Sequence, residues 1–375
     1  MQVSLEYFSQ LAGSAEVTFL LSFLMPLTMV LTMAPSIIRI GVEKQIVSGV
    51  VDRSSHKEIT PCVGGIAITL GILFSILVMT PSEVVGELQY ITAAILIVFM
   101  VGFMDDLKDL TASYKAAGQI LALSIVVIMG VRLESFYGLF YQYWEFHKFF
   151  SILLSGFTIL VIVNGFNLID GINGLAGTVG TIACCSFGVW FYITDNLALS
   201  VLAMSTAGSL LGYMRYNMEP AKTFMGDSGS LVVGLVLGVL AVEFIDTAST
   251  AELTEKYRFT NPVAICIAIL IVPLFDTFRV FSVRLLRGLS PMQADRRHVH
   301  HLLVDAGLTH LEATTALGLY NLTIISLAYY LDPLLDLHFL ILIIVGVTTS
   351  ISTAIYLKNK RNKRTRETLA LNQKA

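Results

Sequence analysis

About eleven stretches of this chain are long and apolar enough to cross a bilayer, a span needing roughly 20 such residues, and only short polar loops separate them. They fall near 17–39, 61–81, 89–107, 115–131, 148–166, 174–194, 197–214, 229–246, 260–284, 313–331 and 338–357. The runs are continuous and do not alternate, so they read as helices and not as barrel strands. With 14% charged residues against about 25% in a soluble domain, no sizeable soluble domain fits among the 375 residues. The expectation is an all-α polytopic membrane protein, with one transmembrane domain over 1–357 and a basic cytoplasmic tail over 358–375.

Alternating the loops between two sides leaves Arg132, Lys148, Lys256 and Arg258 on one side and the other 20 of the 24 Lys and Arg opposite. Basic loops stay in the cytoplasm, which predicts an N-terminus outside and a C-terminus inside. The segment before the first span carries Glu6 and Glu16 but no base, so that span is expected to be retained. Cys62, Cys184, Cys185 and Cys266 all lie in or beside apolar runs without a CxxC, and read as small buried hydrophobes.

The chemistry gathers in the loops of the basic side. Phe224-Met225-Gly226-Asp227-Ser228-Gly229-Ser230-Leu231 puts a carboxylate where a polar loop becomes an apolar run, beside glycines that admit a ligand and hydroxyls that can cap a helix. Asp105 and Asp106 end the third span; two carboxylates there cannot both face lipid, and neighbours on a helix point apart. Lys115 and Gln119 share a helix face at i, i+4, and Pro61 with Gly64-Gly65 allows close backbone packing or ligand entry. Asn164, Asn167, Asp170 and Asn173 recur every three residues, a polar stripe if that segment remains helical. Asp276 lies in an apolar run with Arg279 at i+3, open to a structural or a catalytic reading. His298, His300 and His301 follow Arg296 and Arg297, donors suited to a diphosphate.

Carboxylates and amide oxygens without thiolates suit Mg²⁺, or Mn²⁺, and cationic donors around such an ion describe phosphoryl chemistry on a diphosphate. The residues therefore predict an enzyme joining a cytoplasmic phosphate donor to a lipid acceptor in the bilayer, with no nucleic-acid partner. A secondary transporter would place its polar groups near the midplane, and here they sit at the span ends.

The order Asp105-Asp106, Asn164 to Gly177, Arg215-Tyr216-Asn217 with Pro220-Ala221-Lys222, Phe224 to Leu231, and Ala294 through His301 resembles the polyprenyl-phosphate N-acetylhexosamine-1-phosphate transferases. The likeness runs from Asp52 to about His310 and is nearest the bacterial WecA/TagO-like branch, with MraY more distant. It implies transfer of GlcNAc-1-phosphate from UDP-GlcNAc to undecaprenyl phosphate at the bacterial inner membrane, with release of UMP. It also implies Asp227 and Asn167 as Mg²⁺ ligands, Lys115 as a lipid-phosphate contact, and Asn173 with Phe224 as uracil contacts. Asp105, Asp106, Asp170, His298, His300 and His301 become catalytic candidates, and Asn217, Arg296 and Arg297 substrate-binding ones. Asn173 stands where many bacterial relatives carry Asp, which puts in doubt the nucleotide contact and not the activity. The hexosamine, the polysaccharide pathway, a direct or covalent two-step route and a homodimer all stay open.

Overall fold

Apolar helices that enclose one another need small residues at their contacts, because lipid supplies no hydrophobic drive between them. The computed structural model describes residues 14–46, 60–80, 85–250, 257–286, 288 and 298–372. In chain order its helices are α1 Ala15–Glu43, α2 Gly64–Met79, α3 Val85–Lys108, α4 Ala112–Met129, α5 Lys148–Ile169, α6 Leu175–Ile193 and α7 Leu197–Asn217. They continue as α8 Gly226–Thr250, α9 Pro262–Ile269, α10 Ile271–Leu286, α11 Val299–Asp305, α12 His310–Leu331 and α13 Leu337–Asn372. Among the described residues the only strand-like feature is an isolated bridge between Ser135 and Glu145.

Helix α8 is the axis of the bundle. Its Leu, Val and Ala side chains are apolar on every side, as a helix sheathed by other helices requires, and nearly all are buried. Gly234 and Gly238 bring α5 against it: a Cβ on Gly234 would lie 2.8 Å from Val163 Cα, and one on Gly238 2.6 Å from the Ile159 side chain. Helix α7 is equally enclosed and uses hydroxyls as well as glycines. Ser205 donates to Ser75 (2.7 Å), which donates to the Ser22 carbonyl (3.2 Å), tying α7, α2 and α1 together. No disulfide joins the four cysteines; Cys62, Cys184 and Cys266 are buried as expected, and Cys185 is half-buried.

Nine helices among the described residues are long and apolar enough to cross a membrane, or ten if α9 and α10 count as one bent span. The expected count of eleven is not established, since the run at 61–81 forms the 16-residue α2, short for a full crossing. The expected straight span at 260–284 is broken, with an angle of 82° between α9 and α10. Pro273 accounts for the position: its ring collides with the carbonyl four residues back in a continuous helix. The carbonyls this frees inside the bundle accept from the Nδ2 of buried Asn321 on α12, at 3.2 Å to both Ala268 and Ile269, which gives these two groups partners in an apolar medium.

The helix ends converge where α2 meets α8. A Cβ on Gly65 would collide with the backbone of Gly229, whereas one on Gly156 in α5 meets nothing within 4 Å. Gly65→Ala is therefore expected to cost about 1–3 kcal/mol through overpacking, and Gly156→Ala to be neutral or slightly stabilising. Melting curves in detergent check the pair; equal melting temperatures would show that the close approach is not rigid.

Candidate functional site

The start of α8 is placed by a short run of backbone hydrogen bonds. Phe224 N–H donates to the Pro61 carbonyl (3.0 Å), and Gly64 and Gly65 donate to Phe224 and Met225 (2.9 Å each). Thr223 adds its hydroxyl to the Pro61 carbonyl at 2.9 Å. Gly226 then turns with φ +70°, and a Cβ there would sit 2.6 Å from an oxygen of Asp106. That proximity has a cause: the first N–H groups of a helix lack partners. Asp106, buried at the end of α3, accepts from Asp227 N–H (2.8 Å) and Ser228 N–H (3.0 Å). The carboxylate is thus a cap supplied by another helix, where the helix dipole also favours negative charge.

Its neighbour Asp105 points elsewhere. It accepts from Leu110 N–H (2.6 Å) and from the Lys115 ammonium (3.2 Å). Lys115 also pairs with Asp227, so one ammonium bridges two carboxylates from different helices. Asn167, near the end of α5, donates through Nδ2 to Asp227 Oδ1 and to Ser230 Oγ, both at 2.7 Å.

These groups open onto a cavity of about 430 Å³ whose lining includes Asp105, Asp106, Asn167, Asp170, Asn173, Asn217, Phe224 and Asp227. Phe224 presents a ring that is 42% exposed. The expected polar stripe breaks at Ile169, where α5 ends: Asn164 turns back to the Leu160 carbonyl (2.8 Å), and the chain curls through Asp170 toward Gly174 at φ +80°. Desolvation pushes the Asp170 carboxyl well above the usual carboxylate range, and the charges of Asp227 and Asp106 add to it. Asn217 is a buried pin: its Oδ1 accepts from Gly174 N–H (2.7 Å) and its Nδ2 donates to the Thr223 carbonyl (3.0 Å). The Asn173 carbonyl accepts from Thr314 at 2.8 Å.

The histidines stand beside the cavity, not among its lining residues. Asp276 of α10, buried, accepts from Val299 N–H (2.8 Å) and pairs with His298 Nδ1 (2.9 Å), so it both caps α11 and orients an imidazole. Its carboxylate is thereby assigned to the histidine segment, a role that the expected i+3 arginine did not suggest. His300 packs onto Gly171, where a Cβ would meet its Nε2, and that buried nitrogen has no hydrogen-bond partner. Burial lowers its pKa to about 4 despite the nearby Asp276 charge, leaving it neutral near pH 7. His301 stacks obliquely on His300, with ring centres 4.3 Å apart. Arg296 and Arg297 lie outside the described residues.

The donor chemistry fits a hard divalent cation. Among the described residues no group of three His, Cys, Asp or Glu could hold a metal, yet two carboxylates already converge on a positive charge, that of Lys115. Rotating the Asn167 amide presents its oxygen in place of the NH₂ now facing Asp227. Asp227 and Asn167, with substrate phosphate oxygens and water, make an oxygen set of the kind Mg²⁺ takes.

A family model described as glycosyl transferase family 4 matches residues 88–245. The decaprenyl-phosphate N-acetylglucosaminephosphotransferase of Mycobacterium leprae is 30% identical over 282 residues, covering 69% of this chain and 70% of its own. A probable undecaprenyl-phosphate N-acetylglucosaminyl 1-phosphate transferase of Bacillus subtilis is 29% identical over 298 residues, covering 78% and 79%. The undecaprenyl-phosphate alpha-N-acetylglucosaminyl 1-phosphate transferase of Escherichia coli is 27% identical over 268 residues, covering 70% of each chain. The chain therefore belongs to glycosyl transferase family 4, as a phosphotransferase of the WecA/TagO-like polyprenyl-phosphate N-acetylhexosamine-1-phosphate transferases.

Proposed function

We propose that this enzyme transfers GlcNAc-1-phosphate from UDP-GlcNAc to undecaprenyl phosphate at the cytoplasmic face of the bacterial inner membrane. The carrying observation is the Asp105–Lys115–Asp227–Asn167 cluster, charged and amide groups from four helices at the mouth of one polar cavity. The names of the relatives support the lipid acceptor and the sugar phosphate, and the bias of basic loops supports the side.

In this reading the acceptor phosphate attacks the β-phosphorus of the donor, the bond to the bridging oxygen breaks, and UMP leaves with the electron pair. A phosphate monoester is largely ionised near neutral pH, so no strong base is needed, and positioning with charge neutralisation supplies the rate. Lys115, bridging two carboxylates at the start of α4, holds the acceptor phosphate beside Asp105. Phe224 stacks on the uracil, and Asn173 reads its edge. Mg²⁺ bound by Asp227 and Asn167 would neutralise charge on the diphosphate. Burial and the charges of Asp227 and Asp106 raise the Asp170 carboxyl above the usual carboxylate range, which favours a hydrogen-bonding role at the cavity wall. Asp106 and Asn217 keep these groups in register and leave the chemistry to Asp105 and Asp227.

Purified protein with UDP-GlcNAc, undecaprenyl phosphate and Mg²⁺ should release UMP, and competition among UDP-N-acetylhexosamines should favour the GlcNAc donor. No UMP with any sugar or divalent metal would reject the reaction. Asp227→Asn is expected to lower turnover by about 100-fold or more while the protein still purifies as a folded species; activity near wild type would place the cation elsewhere.

The two neighbouring carboxylates should separate by phenotype. Asp106→Asn is expected to lower the melting temperature as well as activity, since an amide offers one acceptor where the α8 start needs two, a loss of about 1–2 kcal/mol by analogy with helix caps. Asp105→Asn should lower activity at an unchanged melting temperature. The opposite pattern would exchange their roles.

His300 gives a pH test of stability. Its folded pKa of about 4 lies below the unfolded value of 6.5, so the unfolded chain binds the proton first and stability is lost as pH falls from about 6.5 toward 4. The full shift corresponds to about 3 kcal/mol. Wild type should therefore lose melting temperature over that interval more steeply than His300→Gln; parallel curves would mean that His300 is accessible to protons in the folded state.

A further inference from the structure

The connection between α4 and α5 lies at the end of the bundle opposite the cavity, since Lys115 begins α4 and Asn167 closes α5 at the cavity itself. It is an aromatic hairpin. Ser135 bridges Glu145, Phe146 N–H donates to the Glu134 carbonyl (2.7 Å), and Gly138 N–H donates to Gln142 at the tip (3.0 Å). Phe136 sits at its centre, edge-on to Phe146 (4.6 Å) and Trp144 (5.5 Å).

This hairpin is pinned on several sides. Leu133 exchanges hydrogen bonds with Ser151 (2.7 Å) and Ser155 (2.8 Å) of α5. Tyr137 donates its hydroxyl to Asp246 near the end of α8 (2.5 Å), and Tyr141 stacks on His338 of α13 with ring centres 4.0 Å apart. A plate held in this way cannot fold its outer rings inward, yet Tyr143 is 75% exposed, Phe149 65% and Trp144 54%.

Two constraints set the depth of those rings. Helix α4 has 18 residues, about 27 Å of rise, a little under the ~30 Å of hydrocarbon, so the chain just beyond it emerges at the membrane boundary. Arg132, Glu134, Glu145 and Lys148 flank the plate and exclude the hydrocarbon centre. Rings with one apolar face and one polar atom, such as Trp and Tyr, favour that boundary. We propose that the 133–150 hairpin is a rigid interfacial anchor whose partner is the lipid headgroup zone of the leaflet opposite the cavity. Since α4 and α5 carry Lys115 and Asn167 at their other ends, the anchor fixes the depth of both residues in the bilayer.

The chain has two tryptophans, and the second, Trp190, is buried against Phe244 and Phe191. Trp190→Phe therefore leaves Trp144 as the sole reporter in the full chain. Reconstituted in phosphatidylcholine vesicles, it should lose most of its emission to lipids brominated near the top of the acyl chain, less to lipids brominated near the chain end, and little to aqueous iodide. Should Trp190→Phe fail to fold, the difference between wild type and Trp144→Phe reports the same signal. Strong iodide quenching without bromolipid quenching would overturn the proposal in favour of a water-exposed hairpin. Shielding from both quenchers that grows with protein density would overturn it in favour of a second copy as the occupant. Deep-bromine quenching exceeding shallow would overturn it in favour of insertion into hydrocarbon.

Discussion

A buried helix that begins inside a membrane protein must find acceptors for its first N–H groups, and for α8 that acceptor is Asp106. The need is acute because α8 is enclosed by other helices along nearly all of its length. Meeting it from α3 has a structural consequence: the carboxylate that caps α8 fixes the backbone of Asp227, so Asp227 inherits its position from a residue 121 places earlier. Gly226, Gly65 and Gly102 are needed at the same point, since a Cβ on any of them would strike Asp106 or the first turn of α8. Site and bundle are thus one construction, with closely packed backbone at the place where the carboxylates gather.

The same cap explains how two adjacent acidic residues divide their work. Successive helical side chains diverge by about 100°, so with Asp106 turned into α8, Asp105 faces the loop and Lys115. An adjacent pair in sequence need not be a functional pair. Here one member serves the scaffold through neutral N–H donors, and the other meets the Lys115 ammonium.

Much of this was legible in the sequence because membrane solvation is so restrictive. Continuous apolar runs could only be helices, and polar residues at their ends could only meet at a surface, so the meeting of Asp105, Asn167, Asp170, Asn217 and Asp227 around one cavity followed from topology. Pairings decided by rotation about a helix axis were not legible. The sequence shows that Asp276 is costly in an apolar run, but not that the break before Pro273 turns it toward His298 and Val299, 22 and 23 residues away. Nor does the three-residue spacing from Asn164 to Asn173 reveal that the helix stops at Ile169, an ending settled by Gly174 in a left-handed conformation and by Asn217 holding its N–H.

The balance of charge in the cavity follows from these placements. Asp105, Asp106, Asp170 and Asp227 crowd one side of a bundle whose interior is otherwise apolar, and four ionised carboxylates so close would repel strongly. The structure relieves this in three separate ways: Asp106 is neutralised by helix N–H groups, Asp105 and Asp227 share an ammonium, and Asp170 is driven toward its protonated form. Only the second of these can be exchanged without disturbing the backbone. In the proposed reaction Asp227 and Asn167 would hold the divalent ion, which would supply the positive charge that Lys115 now presents to Asp227. On that proposal the positive charge offered to an acceptor phosphate is that of Lys115, already seated between Asp105 and Asp227 at the site.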